Sequence, residues 1–243
     1  MPYFKKYNCT FIHIPKNAGT FVSVNLGLKK EWDLPRNSKN NLNQYKYKLK
    51  TFYKSLAKKT GFSKNEDFEK IQHIYGYKIG AFALQHATLS EIISLGLLDP
   101  KVLKNSFCFC IKRSPFDRII SIYKYWNFYN KYTLDEFVSN IVDINSRYSN
   151  FELTHSIRTH LRPQSDFIRL NDGSIPSWIK IIDINDLNLF WKKNVKSKGW
   201  PKLISGENQK TNTSPNSDIK MSQKSRKIIR ETYSVDFEFL GYD

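Results

Sequence analysis

The sequence is poor in cysteine and in acidic side chains, and it has no long apolar run. Three cysteines in 243 residues are too few for a disulfide framework or a four-thiolate zinc site, although three Cys with one His would satisfy zinc arithmetically. No stretch approaches the roughly 18 consecutive apolar residues of a membrane-spanning helix, and Met1 is followed by no signal-peptide pattern. No internal repeat and no Pro/Gly/Ser-rich linker divides the chain, so 1–243 reads as a single domain. Acidic residues number 22 against 39 Lys and Arg, a net charge of +17. A field of that sign selects anionic partners: nucleic acid, an acidic polysaccharide, a membrane surface or a phosphorylated small molecule. The excess is uneven, with twelve basic and five acidic residues in 29–70, and eleven and two in 192–230. Free use of Lys on solvated faces gives the same total, so charge alone does not choose among these partners.

What the sequence does hold is material for a core, 40% apolar and 15% aromatic. Cys9-Thr-Phe-Ile-His-Ile14 is β-branched and aromatic and stops at Pro15, which predicts a buried strand. A helix is expected next through Phe21, Val22, Val24, Leu26 and Leu28, with Thr20 as its cap. Residues 29–70 read as a basic helical or loop insertion. A weaker strand candidate covers 77–85 and ends at Gln85-His86, and Ser90–Leu95 reads as a short helix closed by Gly96. Phe107-Cys-Phe-Cys-Ile111 is the second clear strand, on which Cys108 and Cys110 would share a face as reduced, packed thiols. Pro115 suits a first helical turn, and the helix it opens is expected from Phe116 to about Phe128. Further helices fit 133–142 and Ser222–Tyr233. Asn171-Asp-Gly-Ser174, between 167–170 and 178–182, signals a hairpin. Strands alternating with helices predict the α/β class: a three-layer, P-loop-like domain with a central, mostly parallel sheet flanked by helices.

Ligands of an open α/β sheet bind at the carboxyl ends of its strands, and two loops there carry chemistry. Pro15-Lys16-Asn17-Ala18-Gly19-Thr20 offers a Lys and N–H groups at a helix start, which suit a phosphate. It is not a Walker A loop. That motif has two glycines separated by four residues and a Lys after the second, whereas here the Lys precedes the only Gly by three. No apolar strand ending in Asp stands out to hold Mg²⁺, so phosphate handling without a metal is expected. The second loop, Arg113-Ser-Pro-Phe-Asp-Arg118, leads to Ser121 and Tyr123. Arg113 can grip a phosphate with its planar fork, and Ser121, about two helical turns on, can add a hydroxyl. Arg118 is expected to pair with Asp117 or a neighbouring loop. Taken singly, each loop is also explained by ordinary duties, a capped helix or a strand-end ion pair.

Together, in this order and strand context, the two motifs resemble the sulfotransferases that use 3′-phosphoadenosine 5′-phosphosulfate (PAPS). The nearest group is similar to carbohydrate sulfotransferases of the heparan sulfate 2-O-sulfotransferase type. The resemblance covers about thirty residues. It implies that Pro15, Lys16, Asn17, Ala18, Gly19 and Thr20 cradle the 5′-phosphosulfate and that Arg113 and Ser121 bind the 3′-phosphate. The family's usual first loop has Thr or Ser around Asn17 and Ala18, a departure here. Gln85-His86-Ala87-Thr88 is similar to the family's Gly-His-Ala-Thr and implies that His86 is the base. His is the side chain whose pKa suits proton removal near neutrality; His13, His73, His155 and His160 carry no such motif. Lys16 is then the group that stabilises the leaving phosphate. Gln209–Ser214 falls where family members close a loop over the nucleotide, which adds Lys210 and Asn212. His160-Leu-Arg-Pro-Gln-Ser165 adds Arg162 and Gln164 as acceptor contacts.

The resemblance therefore implies PAPS as donor, its bisphosphate as product, no metal, and a hydroxyl acceptor that is first of all a glycan or polysaccharide. Nucleic acid is not expected as a partner. The family's Golgi members have an N-terminal anchor and lumenal disulfides; with neither in this chain, a soluble cytoplasmic enzyme is expected. Two rivals stand beside this reading: a P-loop-type nucleotide kinase, and a non-enzymatic basic nucleic-acid-binding protein suggested by the charge and by Lys interleaved with aromatics in 45–54.

Overall fold

The computed structural model describes residues 3–27, 78–79, 82–83, 86–94, 98–146, 155–203 and 219–242; the basic insertion, Gln85, Lys210 and Asn212 lie outside the described residues. The strands are β1 (Tyr3–Phe4), β2 (Cys9–Ile12), β3 (Lys78–Ile79), β4 (Phe82–Ala83), β5 (Phe107–Lys112) and β6 (Lys180–Asp183). The helices are α1 (Gly19–Asn25), α2 (Leu89–Ser94), α3 (Pro100–Asn105), α4 (Pro115–Tyr125), α5 (Leu134–Ser146), α6 (His155–Leu161), α7 (Leu187–Lys198), α8 (Gln223–Thr232) and α9 (Ser234–Leu240).

The main sheet runs β1-β2-β5-β6. β2, β5 and β6 are parallel, with Phe11 opposite Phe109 and Ile111 opposite Ile182, while β1 pairs antiparallel at one edge. Both expected central strands form, and their side chains alternate. Phe11, Phe109 and Ile111 pack on one side with Val22 of α1 and Leu187 and Trp191 of α7. Ile12, Cys108 and Cys110 pack on the other with Leu89 and Ile92 of α2, Leu103 of α3 and Leu240 of α9. Burial on both faces is why these strands read as unbroken apolar runs. The chain is thus an α/β fold with a four-stranded, mostly parallel sheet, compatible with a three-layer arrangement. All three cysteines are buried free thiols, and burial pushes Cys9 and Cys110 up to about 12. They are packing residues. No helix among the described residues is long and apolar enough to cross a membrane.

Several elements depart from expectation. Within 77–85 the described residues are those of β3 and β4, which form an antiparallel pair separate from the main sheet, with Ile79 opposite Phe82. The 171–174 turn forms, with Leu170 N–H bonded to Ser174 O at 2.9 Å, but no hairpin follows. The segment before it ends in a 3₁₀ turn at Ser165–Phe167, and β6 joins β5 in parallel instead. β6 is also an apolar strand that ends in Asp, the feature not seen in the sequence. Its Asp183 carboxylate accepts from Asn185 N–H at 2.9 Å and Tyr242 O–H at 3.1 Å. α1 is capped by Ala18, not Thr20, and without a side-chain bond; its C-cap is Leu26 rather than a residue beyond Leu28. α4 stops at Tyr125, short of Phe128. α8 matches closely, with Ser222 accepting from Ser225 N–H as its cap.

Candidate active site

The carboxyl ends of β2 and β5 lie side by side, and so do the loops that leave them. After Ile14 the chain turns through Lys16 at φ +68° and Ala18 at φ +56°. Left-handed backbone is unfavourable for residues with a Cβ, so the surrounding contacts must hold the loop. Gly19 supplies one of them. A Cβ there would lie 1.6 Å from His13 Nε2, so only a glycine lets the imidazole sit against the start of α1.

Asn17 and Gln164, both fully buried, supply the rest. Asn17 Nδ2 donates to Ile111 O at 2.8 Å and to Gln164 Oε1 at 2.6 Å. Gln164 Oε1 also accepts from Arg113 N–H at 3.0 Å, and its Nε2 donates to Arg113 O at 2.8 Å. Gln164 is itself fixed: its N–H and that of Ser165 each donate to the buried Asp236 carboxylate at 2.8 Å. The Gln164 amide is a clasp between the two loops. Its assignment as an acceptor contact is corrected, because it is sealed from solvent and both its polar atoms are engaged. The Asn17 side chain likewise braces the loop with its amide N–H₂ instead of presenting it to a donor.

Arg118 is the second brace. It is 1% exposed and donates to Pro15 O at 3.1 Å, Arg162 O at 2.9 Å and His160 O at 2.7 Å. The expected pairing with a neighbouring loop is what forms. Its guanidinium ties α4 to the first loop and to the end of α6, and it satisfies carbonyls that would otherwise be buried unpaired.

Two cations remain at the surface of this frame. Arg113 is partly buried, and its Nη1 donates to Lys16 O at 3.2 Å. Lys16 is partly buried too, with its Nζ 3.7 Å from the centre of the Tyr125 ring. Burial, then the nearby Arg113 charge, push the Lys16 ammonium down to about 8. Thr20 and Ser121 are partly exposed, and a cavity of about 510 Å³ lies along the same helix, lined by Phe116, Ile120, Met221 and Arg226. Arg162 is not free to reach an acceptor: it pairs with Glu91 at 2.9 Å. Glu91 in turn caps α2, accepting from Thr88 N–H at 2.8 Å in a capping box.

His86 packs against two other imidazoles of this region. It is 6% exposed, with its ring centre 4.5 Å from that of His13 and 5.3 Å from that of His160. His86 Nδ1 is 3.4 Å from His13 O. A carbonyl only accepts, so this contact puts a proton on Nδ1 and leaves Nε2 as the basic nitrogen. Burial, followed by the charges of His13 and His160, holds His86 well below its ordinary value, and burial takes His13 down to about 3. Both rings are neutral at pH 7. The histidine cluster and Tyr125, stacked on His160 at 5.6 Å, were not seen in the sequence as one unit. Their positions, 13, 86, 125 and 160, carry no spacing that would join them. Among the described residues no group of His, Cys, Asp or Glu is arranged to hold a metal ion. Comparisons with protein-family models, curated proteins and solved structures find no match to this chain.

Proposed function

We propose that this chain is a PAPS-dependent sulfotransferase on a three-layer, P-loop-like α/β domain, with a hydroxyl acceptor that is first of all a carbohydrate. The observation that carries the reading is the joined pair of strand-end loops. Arg113 is hydrogen-bonded to the backbone of Lys16, so the two cations lie within reach of one bisphosphorylated nucleotide. Lys16 and the first N–H groups of α1, which lack intrahelical partners by construction, face the 5′-phosphosulfate. Arg113 and Ser121 take the 3′-phosphate.

The chemistry follows from charge. The acceptor oxygen attacks sulfur as its proton passes to His86 Nε2. The bond from sulfur to the bridging phosphate oxygen breaks in line, and its electron pair leaves with adenosine 3′,5′-bisphosphate. Lys16 meets the negative charge that grows on that oxygen, and a preorganised cation there acts where transition-state charge appears. Burial leaves His86 unprotonated near neutrality, open to a proton but a weaker base than an exposed imidazole.

Calorimetric titration with adenosine 3′,5′-bisphosphate in the absence of magnesium tests the reading. Tight binding that is lost in Arg113→Ala is expected, together with transfer of labelled sulfate from PAPS to a glycan hydroxyl. Lys16→Ala should lower turnover about 10²–10³-fold. A requirement for Mg-ATP would transfer the site to a kinase.

A further inference from the structure

Tyr125 has no role in the transfer as described, yet it touches Lys16 and the histidine cluster at once. It is the last residue of α4 and, at 53% exposure, an unusually open aromatic. Its ring stacks on His160 with planes 12° apart and centres 5.6 Å apart, and His160 is itself buried. That stack fixes where the ring stands. The Lys16 ammonium sits over the same ring, 3.7 Å from its centre, well inside the distance at which the negative face of an aromatic attracts a cation. The Lys16 backbone is meanwhile pinned by Arg113 and held left-handed. Both ends of the side chain are therefore defined, the backbone by one loop and the ammonium by Tyr125.

We propose that Tyr125 is a positioning residue for Lys16, an aromatic seat that aims the ammonium at the mouth of the site and stabilises its charge there. The role for Lys16 in transfer rests on the sulfotransferase reading; the seat itself does not. Among the described residues, the other charged groups that act on Lys16 are Arg113, which opposes its charge, and His13, with which it interacts electrostatically. Arg113 works against the ammonium and His13 is neutral at pH 7, so the ring face is the group that favours the charged form.

The experiment compares Tyr125→Leu with Tyr125→Phe. Leu keeps an apolar side chain without a π face, while Phe keeps the face without the hydroxyl. The reactivity of Lys16 toward an acylating reagent, read by peptide mass spectrometry across neutral to alkaline pH, gives its titration midpoint without any nucleotide. Tyr125→Leu should lower that midpoint by about half a unit, and Tyr125→Phe should leave it in place. In transfer assays Leu should lower kcat several-fold with Phe restoring it. An unchanged midpoint in Tyr125→Leu would overturn the seat and leave the donor site standing, as would a shift in Tyr125→Phe equal to that in Leu. Failure of the wild-type chain to bind adenosine 3′,5′-bisphosphate would end the sulfotransferase reading and leave the seat intact.

Discussion

The loop after β2 turns through two left-handed residues that carry a Cβ, Lys16 and Ala18, and it enters a helix with no side-chain cap. The loop after β5 is extended at Ser114, with Pro115 in the first turn of α4. Each left-handed residue costs roughly 1–2 kcal/mol, so the first loop stands only because distant parts of the chain hold it: His13 against Gly19, Gln164 on Asn17, and Arg118 on Pro15. The second is shaped more by its own residues, since Pro at the helix start fixes φ and surrenders an N–H that had no partner, and the distant Gln164 amide holds it only at the Arg113 backbone. Of two loops that carry one proposed site, one leans on distant side chains along its length and the other at a single residue.

That contrast can be broken from either side. Arg118→Leu should do the most damage, because three buried carbonyls lose their donor and the first loop loses its tie to α4. A loss of about 3–5 kcal/mol by urea denaturation is expected. Gly19→Ala comes next, at about 3 kcal/mol, the upper end for overpacking; nucleotide affinity should fall with it, because the His13 ring must move. Pro115→Ala, in the second loop, should cost less than about 1 kcal/mol. An equal cost for Pro115→Ala and Gly19→Ala would erase the distinction.

A separate test of the frame around the first loop is a slope with pH. His13 and His86 are held below their ordinary value of 6.5 by burial, so an unfolded chain binds protons that the folded one does not. The histidine contribution should be level above pH 6.5 and fall as the pH drops from there towards the folded His13 value of about 3. His13 contributes about 1.4 kcal/mol per pH unit in that window, His86 acts in the same direction, and chemical denaturation in a pH series measures the slope. His13→Gln should flatten the curve; a curve that does not change would show that His13 is exposed to solvent.

Local signals accounted for much of the fold. β2 and β5 were legible because strands buried on both faces are near-continuous apolar runs, and α8 because Ser222 and its spaced apolar residues mark it. α5 is the helix expected over 133–142, and its Thr133–Glu136 capping box marks the start; α3 was not expected, although Asp99-Pro100 is a start signal for it. The 171–174 turn shows the limit of local chemistry. Its residues bend the chain but cannot tell whether the next strand pairs with its neighbour in sequence or with β5.

The candidate site divides along the same line. Lys16, Gly19 and Arg113 could be picked out from sequence, since a Lys before a small turn and an Arg at a strand end follow from residue type and order alone. The duties of Gln164, Asn17, Asp236 and Tyr125 could not. Gln164 lies 147 residues from Asn17, and a buried amide is needed only once two loops have met and left polar groups without water. Residue order settled β2 and β5, the charge and the cations at their ends. Tertiary structure decided which of those groups stay open and which are consumed as bonds, because burial removes the solvent that would otherwise satisfy them.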